Sequence, residues 1–294
     1  MASGVRLAAI QPPHPHAELS NAVMLKRSLE LLDEAGKAGA DVALLPELIN
    51  IFMAPRTAYP EKIGPELDKL RALTAEVAAR HCMHVILPVL EPRDGHHYNA
   101  ALIFDREGRL IGRYDKVHLT DQEREEFPNI QAGDSFPTFD LDFGRIGIMT
   151  CSDVSHPEVG VIYNLEGVDV LFYPRWQSGP SEIYFEIQMR SRALDNQVFL
   201  VSSSFGISPG RAWKPGMLFG RSCIIGRDGT ILADAGHQEG MVIATVDLDQ
   251  PMLVDVLDDV YGSDLRDMRS LKLSRRRPDL YGLITAQGAR DESE

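Results

Sequence analysis

The stretch "DVALLPE", residues 41–47, determines how the surrounding chain is interpreted. It is a short apolar run bounded by an aspartate and a proline, which is typical of a strand buried on both faces of a helix-covered sheet. A strand-like segment, "VRLAAIQ" (5–11), precedes it. Between the two, apolar residues recur at about the 3.6-residue period and predict a helix that ends near Gly36 or Gly39.

The same alternation continues downstream. "ELDKLRALTAEVAARHC" (66–82) predicts a second helix and "MHVILPVLE" (83–91) a third buried strand, which together give a β-α-β-α-β order. Two apolar runs joined by "DREG" (105–108) then predict a hairpin, and "RDG" (227–229) marks another. Between the hairpins, strands are predicted at "RIGIMTC", "VDVLFYP" and "VFLVSSS", and helices at 157–166 and 181–195.

This order predicts an α/β fold, specifically a four-layer α-β-β-α sandwich with mixed sheets and helices on the outer faces. We expect one domain over residues 1–250. Residues 251–294 lack a βα unit and are predicted to be a C-terminal extension that contacts a neighbouring subunit. The terminal segment "GARDESE" (288–294) is predicted to be disordered.

Composition excludes several classes of function. The net charge of −13 disfavours nucleic acid as a partner. The longest apolar runs are too short to span a membrane. The apolar stretch near the N-terminus is too short for the core of a secretory signal, so a cytoplasmic location is predicted. Three widely spaced cysteines predict at least one free thiol. Neither a nucleotide-binding motif nor histidines at metal-site spacing occur in the sequence, so no cofactor and no metal are expected.

Three candidate catalytic residues stand at the ends of predicted strands, where α/β folds place their sites. Glu47 ends "DVALLPE", Lys116 follows a hairpin strand, and Cys151 follows "RIGIMT". A thiol attacks a carbonyl or nitrile carbon as the thiolate, so it needs a nearby base, and Glu47 can supply one. Lys116 and the backbone N–H of Ser152 can stabilise the negative charge that develops on the tetrahedral intermediate. The other two cysteines, Cys82 and Cys223, are expected to be packing residues.

The motifs around these residues resemble a known family. "LLPELIN", "GRYDKVHLT" and "GIMTCSDVSHPE" occur in the order and spacing of the nitrilase superfamily of carbon–nitrogen hydrolases, and the similarity covers most of the chain. The resemblance implies the sandwich fold, a Glu-Lys-Cys catalytic set and a thioester intermediate. It also implies a homodimer or higher homo-oligomer.

The resemblance also points to further site residues. A second glutamate is expected in "EREE"; Glu125 fits best, and Glu123 and Glu126 remain open. Arg175 and Trp176 fall where the family lines its substrate pocket. Two positions depart from the usual pattern, because Ser152 stands in place of an aromatic residue and Val161 in place of an arginine. These departures put the substrate subgroup in doubt.

The predicted function is a cofactor-free thiol hydrolase that cleaves the non-peptide C–N bond of a small amide or N-carbamoyl amine. A nitrilase would share every catalytic residue, and a non-catalytic interaction protein of the same fold is the other alternative. A cysteine–histidine dyad with His118 or His156 is a further chemical alternative.

Overall fold

The computed structural model describes residues 4–14, 21–51, 59–127, 129–176, 182–208, 220–256 and 263–285. The chain divides into two compact units, Met1–Gln250 and Pro251–Glu294. The segment predicted to be disordered, 288–294, lies outside the described residues.

Twelve strands and five helices make up the described part of the first unit. The strands are β1 Val5–Gln11, β2 Val42–Leu44, β3 His84–Arg93, β4 His96–Phe104, β5 Leu110–Asp115, β6 Thr138–Leu141, β7 Gly144–Ile148, β8 Val170–Pro174, β9 Phe199–Ser203, β10 Cys223–Ile225, β11 Ile231–Asp234 and β12 Gly240–Val246. The helices are α1 Asn21–Lys37, α2 Tyr59–His81, α3 Asp121–Glu126, α4 Pro157–Leu165 and α5 Glu182–Asn196.

The strands form two six-stranded mixed sheets. The first has the order β12-β1-β2-β3-β4-β5, with β1, β2 and β3 parallel and the other pairs antiparallel. The second has the order β11-β10-β9-β8-β7-β6, with β7, β8 and β9 parallel. Each sheet therefore repeats the predicted combination of a parallel centre with hairpin strands beside it.

The alternating direction of side chains along each strand explains the four layers. In β1, Ala8 and Ile10 pack with α1 and α2, whereas Leu7 and Ala9 pack against the second sheet, together with residues such as Ile148. The outer face of the second sheet packs on α4 and α5. Because successive side chains of a strand point to opposite faces, one apolar strand contributes residues both to the core beneath the helices and to the core between the sheets. The predicted mixed α-β-β-α sandwich is confirmed.

Three elements differ from the sequence prediction. α2 begins at Tyr59 rather than near residue 66. α3 forms within the charge run "EREE", because a capping box at its first turn, and not an apolar stripe, stabilises it. β12 is an edge strand paired antiparallel with β1, and only this pairing across more than two hundred residues defines it.

Within its described residues, the second unit contains a short antiparallel strand pair, one α-helix and two short 3-10 helices. The strands β13 Leu253–Asp255 and β14 Leu265–Asp267 pair with each other, and the helix α6 Met268–Ser274 follows. The expected role of this unit as a subunit contact stays a prediction. Among the helices of the described ranges, none combines the length and hydropathy that crossing a bilayer requires.

Candidate active site

Glu47, Lys116 and Cys151 all follow the carboxyl end of a strand. Glu47 comes shortly after β2 and Lys116 directly after β5, and these two strands run in the same direction in the first sheet. Cys151 comes shortly after β7 in the second sheet. The fold thus brings the three predicted residues, far apart in sequence, into one cluster.

Glu47 is buried, and both of its carboxylate oxygens are hydrogen-bonded. Oε1 accepts from Lys116 Nζ at 3.0 Å and from Asn99 Nδ2 at 2.8 Å. Oε2 accepts from the backbone N–H of Trp176 at 2.7 Å. The carboxylate is therefore fixed from three directions and cannot swing away from the cluster.

Lys116 is buried between two carboxylates. Its Nζ lies 3.0 Å from Glu47 Oε1 and 2.8 Å from Glu123 Oε2. Its backbone N–H donates to Asn99 O at 2.9 Å. A buried ammonium needs such partners, because an unpaired charge away from water is costly.

The second glutamate of the cluster is Glu123, and the prediction of Glu125 is corrected. Glu123 is 7% exposed, and besides Lys116 it accepts from Asn99 Nδ2 at 2.6 Å and from the backbone N–H of Thr120 at 2.9 Å. Glu125 is exposed to solvent. Two residues along a helix correspond to a rotation of about 200°, so the two glutamates lie on opposite faces of α3.

The backbone at Cys151 is unusual. Cys151 has φ of +46° and begins a 3-10 helix, Cys151–Ser155, directly after an extended Thr150. Left-handed conformations of non-glycine residues are uncommon and occur often at functional sites. The Cys151 carbonyl accepts from the Tyr173 hydroxyl at 3.0 Å, and Sγ lies 3.9 Å from the carbonyl oxygen of Trp176. This sharp turn presents the thiol at the end of the strand.

Asp153 holds this turn in place. Its side chain is fully buried and accepts from the Tyr114 hydroxyl at 2.6 Å and from the Thr150 N–H at 2.7 Å. It also accepts from the His118 N–H at 3.0 Å and pairs with His118 Nδ1 at 2.8 Å. Asp153 thereby connects the turn at Cys151 with the segment that carries Lys116.

Electrostatics favour a neutral thiol next to a basic carboxylate. Burial raises the pKa of Cys151 well above its usual value, the charge of Glu47 raises it further, and Lys116 opposes the change. Burial also raises the pKa of Glu47, although Lys116 opposes this shift. A carboxylate with a raised pKa is a stronger base, so the proton of the thiol has an acceptor beside it.

The other two charges stay ionised. Burial alone would lower the pKa of Lys116, but the negative charges of Glu47, Cys151 and Glu123 raise it above its usual value. Burial would raise the pKa of Glu123, but the charge and hydrogen bond of Lys116 hold it below its usual value. The two glutamates therefore have pKa values shifted in opposite directions, which separates a base from a permanent anion.

The predicted substrate-binding residues have different surroundings. Arg175 is buried, and its guanidinium donates to Ser202 Oγ at 3.0 Å and to the carbonyls of Gly220 and Arg221 at 2.8 and 3.1 Å. These contacts make Arg175 a structural residue that joins two strands and a loop. The prediction that Arg175 lines the substrate pocket finds no support in these contacts, since its Nε and Nη2 donate to atoms of the protein itself.

Trp176 and Ser152 are adjacent to the cluster. Trp176 takes part through its backbone, as described above, while its indole ring packs at 5.9 Å from the His14 ring and 6.4 Å from the Phe205 ring. Ser152 follows the cysteine, and its hydroxyl donates to the carbonyl of His118. The role of the Ser152 N–H as an oxyanion donor stays a prediction.

The histidine alternative finds no support in this geometry. The His118 imidazole pairs with Asp153 and stacks on His156 with a centroid distance of 3.7 Å. The charged groups with the largest effect on the pKa of the Cys151 thiol are Glu47, Lys116 and Glu123. No group of three or more metal-ligating side chains occurs within the ranges that the structure describes.

Sequence reasoning missed Asp153 and Asn99, and it ranked Glu123 below Glu125. Glu123 was signalled by the capping box that Thr120 begins, because a glutamate at the third helical position bends back toward the N-cap. Asp153 stands at the corresponding third position after Thr150. Asn99 carries no local signal, since it lies within the apolar strand β4 and only tertiary structure brings it to the carboxylates.

The chain matches known proteins along most of its length. A model of the carbon-nitrogen hydrolase family matches residues 6–251. The omega-amidase of Bos taurus is 34% identical over 257 residues, which cover 83% of this chain and 88% of the bovine protein. The chloroplastic omega-amidase of Arabidopsis thaliana is 30% identical over 279 residues, which cover 90% of this chain and 70% of the plant protein.

Solved structures show the same fold. An amidase from Nesterenkonia sp. superposes with a TM-score of 0.72 at 20% identity, covering 85% of this chain and 92% of that one. A mutant of that amidase in complex with butyramide gives a TM-score of 0.70 at 20% identity, covering 83% and 92%. The resemblance to the nitrilase superfamily is therefore confirmed. The chain belongs to the carbon–nitrogen hydrolase family and is a hydrolase of carbon–nitrogen bonds.

Proposed function

We propose that the protein hydrolyses the terminal carboxamide of a small molecule to the acid and ammonia. The observation that carries the proposal is the buried cluster in which Lys116 lies between Glu47 and Glu123. The left-handed turn at Cys151 stands beside this cluster. Two of the similar proteins are named omega-amidases, which supports a carboxamide as the reacting group.

In the first half of the reaction, Cys151 Sγ attacks the amide carbon while Glu47 accepts the thiol proton. The new C–S bond produces a tetrahedral species whose oxygen carries the negative charge. Lys116 and the N–H of Ser152 stabilise that charge, a contribution of about 3 kcal/mol for each well-placed donor. Glu47 then passes its proton to the nitrogen, the C–N bond breaks, and ammonia leaves a thioester on Cys151.

In the second half, Glu47 accepts a proton from water, whose oxygen attacks the thioester carbon. The C–S bond breaks, the acid is released, and the proton returns from Glu47 to the sulfur. Glu123 takes no proton, because Lys116 holds its pKa low. It fixes the position of Lys116 throughout the cycle.

The alternatives are less well supported. A nitrilase or an N-carbamoyl hydrolase would use the same residues, but the similar proteins described above are named amidases. A non-catalytic protein would gain nothing from burying a lysine and two glutamates beside a thiol, since such burial is costly.

The experiment that tests the proposal is ammonia release from a panel of four compounds: butyramide, succinamic acid, N-carbamoyl-β-alanine and butyronitrile. We expect turnover of one or both carboxamides and a covalent acyl adduct on the Cys151 peptide after rapid acid quenching. Cys151→Ala is the matched control and should give neither ammonia nor adduct. Turnover of the nitrile or the carbamoyl compound alone would overturn the proposal.

We propose further that the protein is a cytoplasmic homo-oligomer that uses its second unit in the subunit contact. In the described part of that unit, five large apolar side chains are exposed, and they are Leu253, Leu265, Leu280, Leu283 and Ile284. Exposed apolar side chains are favourable contacts for a partner surface, and two-fold pairing is the commonest symmetry. The net charge of −13 supports a protein that does not bind nucleic acid.

A further inference from the structure

Asn99 occupies a central position in the active-site cluster. It lies in the middle of β4 and is 1% exposed. Its single side-chain nitrogen donates to Glu47 Oε1 at 2.8 Å and to Glu123 Oε1 at 2.6 Å. Its backbone carbonyl accepts from the Lys116 N–H at 2.9 Å. One residue thus contacts the three segments that carry the buried charges.

The donor chemistry of this contact is specific. The NH₂ group of asparagine has two hydrogens, and each is directed to one carboxylate. Oδ1 has no hydrogen-bond partner among the described residues, so the opposite amide orientation would place an acceptor against two anions and gain nothing. Asn99 therefore acts as a neutral double donor, while Lys116 acts as the charged one.

Lys116 and Asn99 together close a ring around the two glutamates. Each glutamate accepts one hydrogen bond from Nζ of Lys116 and one from Nδ2 of Asn99. Two carboxylates in close proximity repel each other, and a single ammonium can neutralise only one of them. The amide stabilises the second negative charge and adds none of its own.

We propose that Asn99 is a positioning residue that holds Glu47 and Glu123 as a pair of anions and thereby keeps Glu47 available as the base for Cys151. The inference rests on the proposed role of Glu47. The groups that face Glu47 include the charged Lys116 and Glu123, the Cys151 thiol, the backbone N–H of Trp176 and Asn99 itself. The hydrogen bond from Asn99 lowers the Glu47 pKa. Loss of this donor should therefore make Glu47 harder to ionise.

The test measures the pH dependence of Cys151 alkylation by iodoacetamide, followed by mass spectrometry of the Cys151 peptide between about pH 5 and 9. The acid limb of this profile reports the ionisation of the base. Asn99→Ala should move the limb to higher pH by about one unit, the scale expected for one lost hydrogen bond to a charged group. Asn99→Asp keeps the size of the side chain but adds a third carboxylate, so it should move the limb further in the same direction.

Asn50→Ala is the matched control. Asn50 is also a buried asparagine, but it donates to Leu90 O at 2.9 Å and accepts from Leu90 N at 2.7 Å. Its loss should lower the melting temperature and leave the acid limb in place. The exposed Cys82 in the same samples shows how a thiol outside the cluster responds.

Two results would overturn the inference. One is an acid limb that stays in place in both Asn99 variants while they remain folded. The other is an equal shift in Asn50→Ala, which would indicate a general structural effect. Alkylation needs no amide turnover, so failure of the substrate panel and failure of this inference are distinguishable.

Discussion

Replacement of Glu123 by glutamine distinguishes the buried glutamate from its exposed neighbour Glu125. The variant Glu123→Gln keeps the shape of the side chain but removes one of the two negative charges that contact Lys116. Glu125→Gln is the matched control, because it removes the same charge from the same helix at an exposed position.

The magnitude follows from the geometry of the ion pairs. Lys116 Nζ lies 3.0 Å from one carboxylate oxygen and 2.8 Å from the other, so these two oxygens are at most about 6 Å apart. At an effective dielectric constant of about 20, two unit charges at about 6 Å repel by about 3 kcal/mol, which corresponds to about two pKa units. The charge of Glu123 raises the pKa of Glu47, so its removal should lower that pKa by one to about two units.

Two measurements check this reasoning. The acid limb of kcat/KM for the preferred carboxamide, and of Cys151 alkylation, should move to lower pH in Glu123→Gln, opposite to the shift expected for Asn99→Ala. At neutral pH, kcat/KM should fall by about 100-fold, because Glu47 becomes a weaker base and Lys116 loses one of its two anchors. Glu125→Gln should stay within about twofold of the wild type.

A larger fall of kcat/KM in Glu125→Gln than in Glu123→Gln would refute the assignment of Glu123 as the second glutamate of the active site. An acid limb that moves to higher pH in Glu123→Gln would refute the electrostatic argument even if activity falls. Thermal unfolding of both variants provides the control for folding, since only the buried position makes contacts whose loss lowers stability.

Four other outcomes are expected. Glu47→Gln should slow ammonia release by at least about 100-fold, and activity within about threefold of wild type would contradict its role as the base. Lys116→Ala should slow ammonia release by a similar factor. The double variant of Glu47→Gln and Lys116→Ala should be little slower than either single one, because the effects of residues that act as a unit are non-additive. Additive losses of rate would argue for independent roles. Asp153→Asn should destabilise the fold by about 2 kcal/mol, measured by denaturant unfolding, because the amide nitrogen faces donors that the carboxylate accepted. Deletion of residues 251–294 should reduce the mass measured by light scattering from that of an oligomer to that of a single truncated chain. A full-length protein that is already a monomer would end the proposal of a subunit contact.

The cysteine-labelling experiment depends on a position that the sequence describes incorrectly. Cys82 is expected from its helix-to-strand context to be a packing residue, but it is exposed and has φ of +50°. It will therefore compete for an alkylating reagent, and only peptide-resolved labelling distinguishes it from Cys151. Cys223 is buried as expected, and burial raises the pKa of its thiol to about 12.

The sequence by itself determined the layers and the three central residues. Apolar runs such as "DVALLPE" have the length and flanking residues of buried strands, and their alternation with amphipathic segments leaves few arrangements other than helix-covered sheets. Glu47, Lys116 and Cys151 were identifiable because each follows such a strand within a motif of the nitrilase superfamily. These strand patterns and motifs are local, since each is contained within a short run of neighbouring residues.

Tertiary structure alone decided which polar side chains surround those three. The capping box that begins at Thr120 distinguishes Glu123 from Glu125 locally, but only the packing of α3 in the fold brings Glu123 to Lys116 and leaves Glu125 exposed. Arg175 falls at a position where the family lines its pocket, but in the structure its guanidinium donates to Ser202 and to two backbone carbonyls. Asn99 gave no signal, because its function depends on two carboxylates that lie 52 and 24 residues away in sequence. Hydrogen bonds of buried polar groups depend on where distant segments meet, and that is fixed by the packing of the two sheets and not by local sequence.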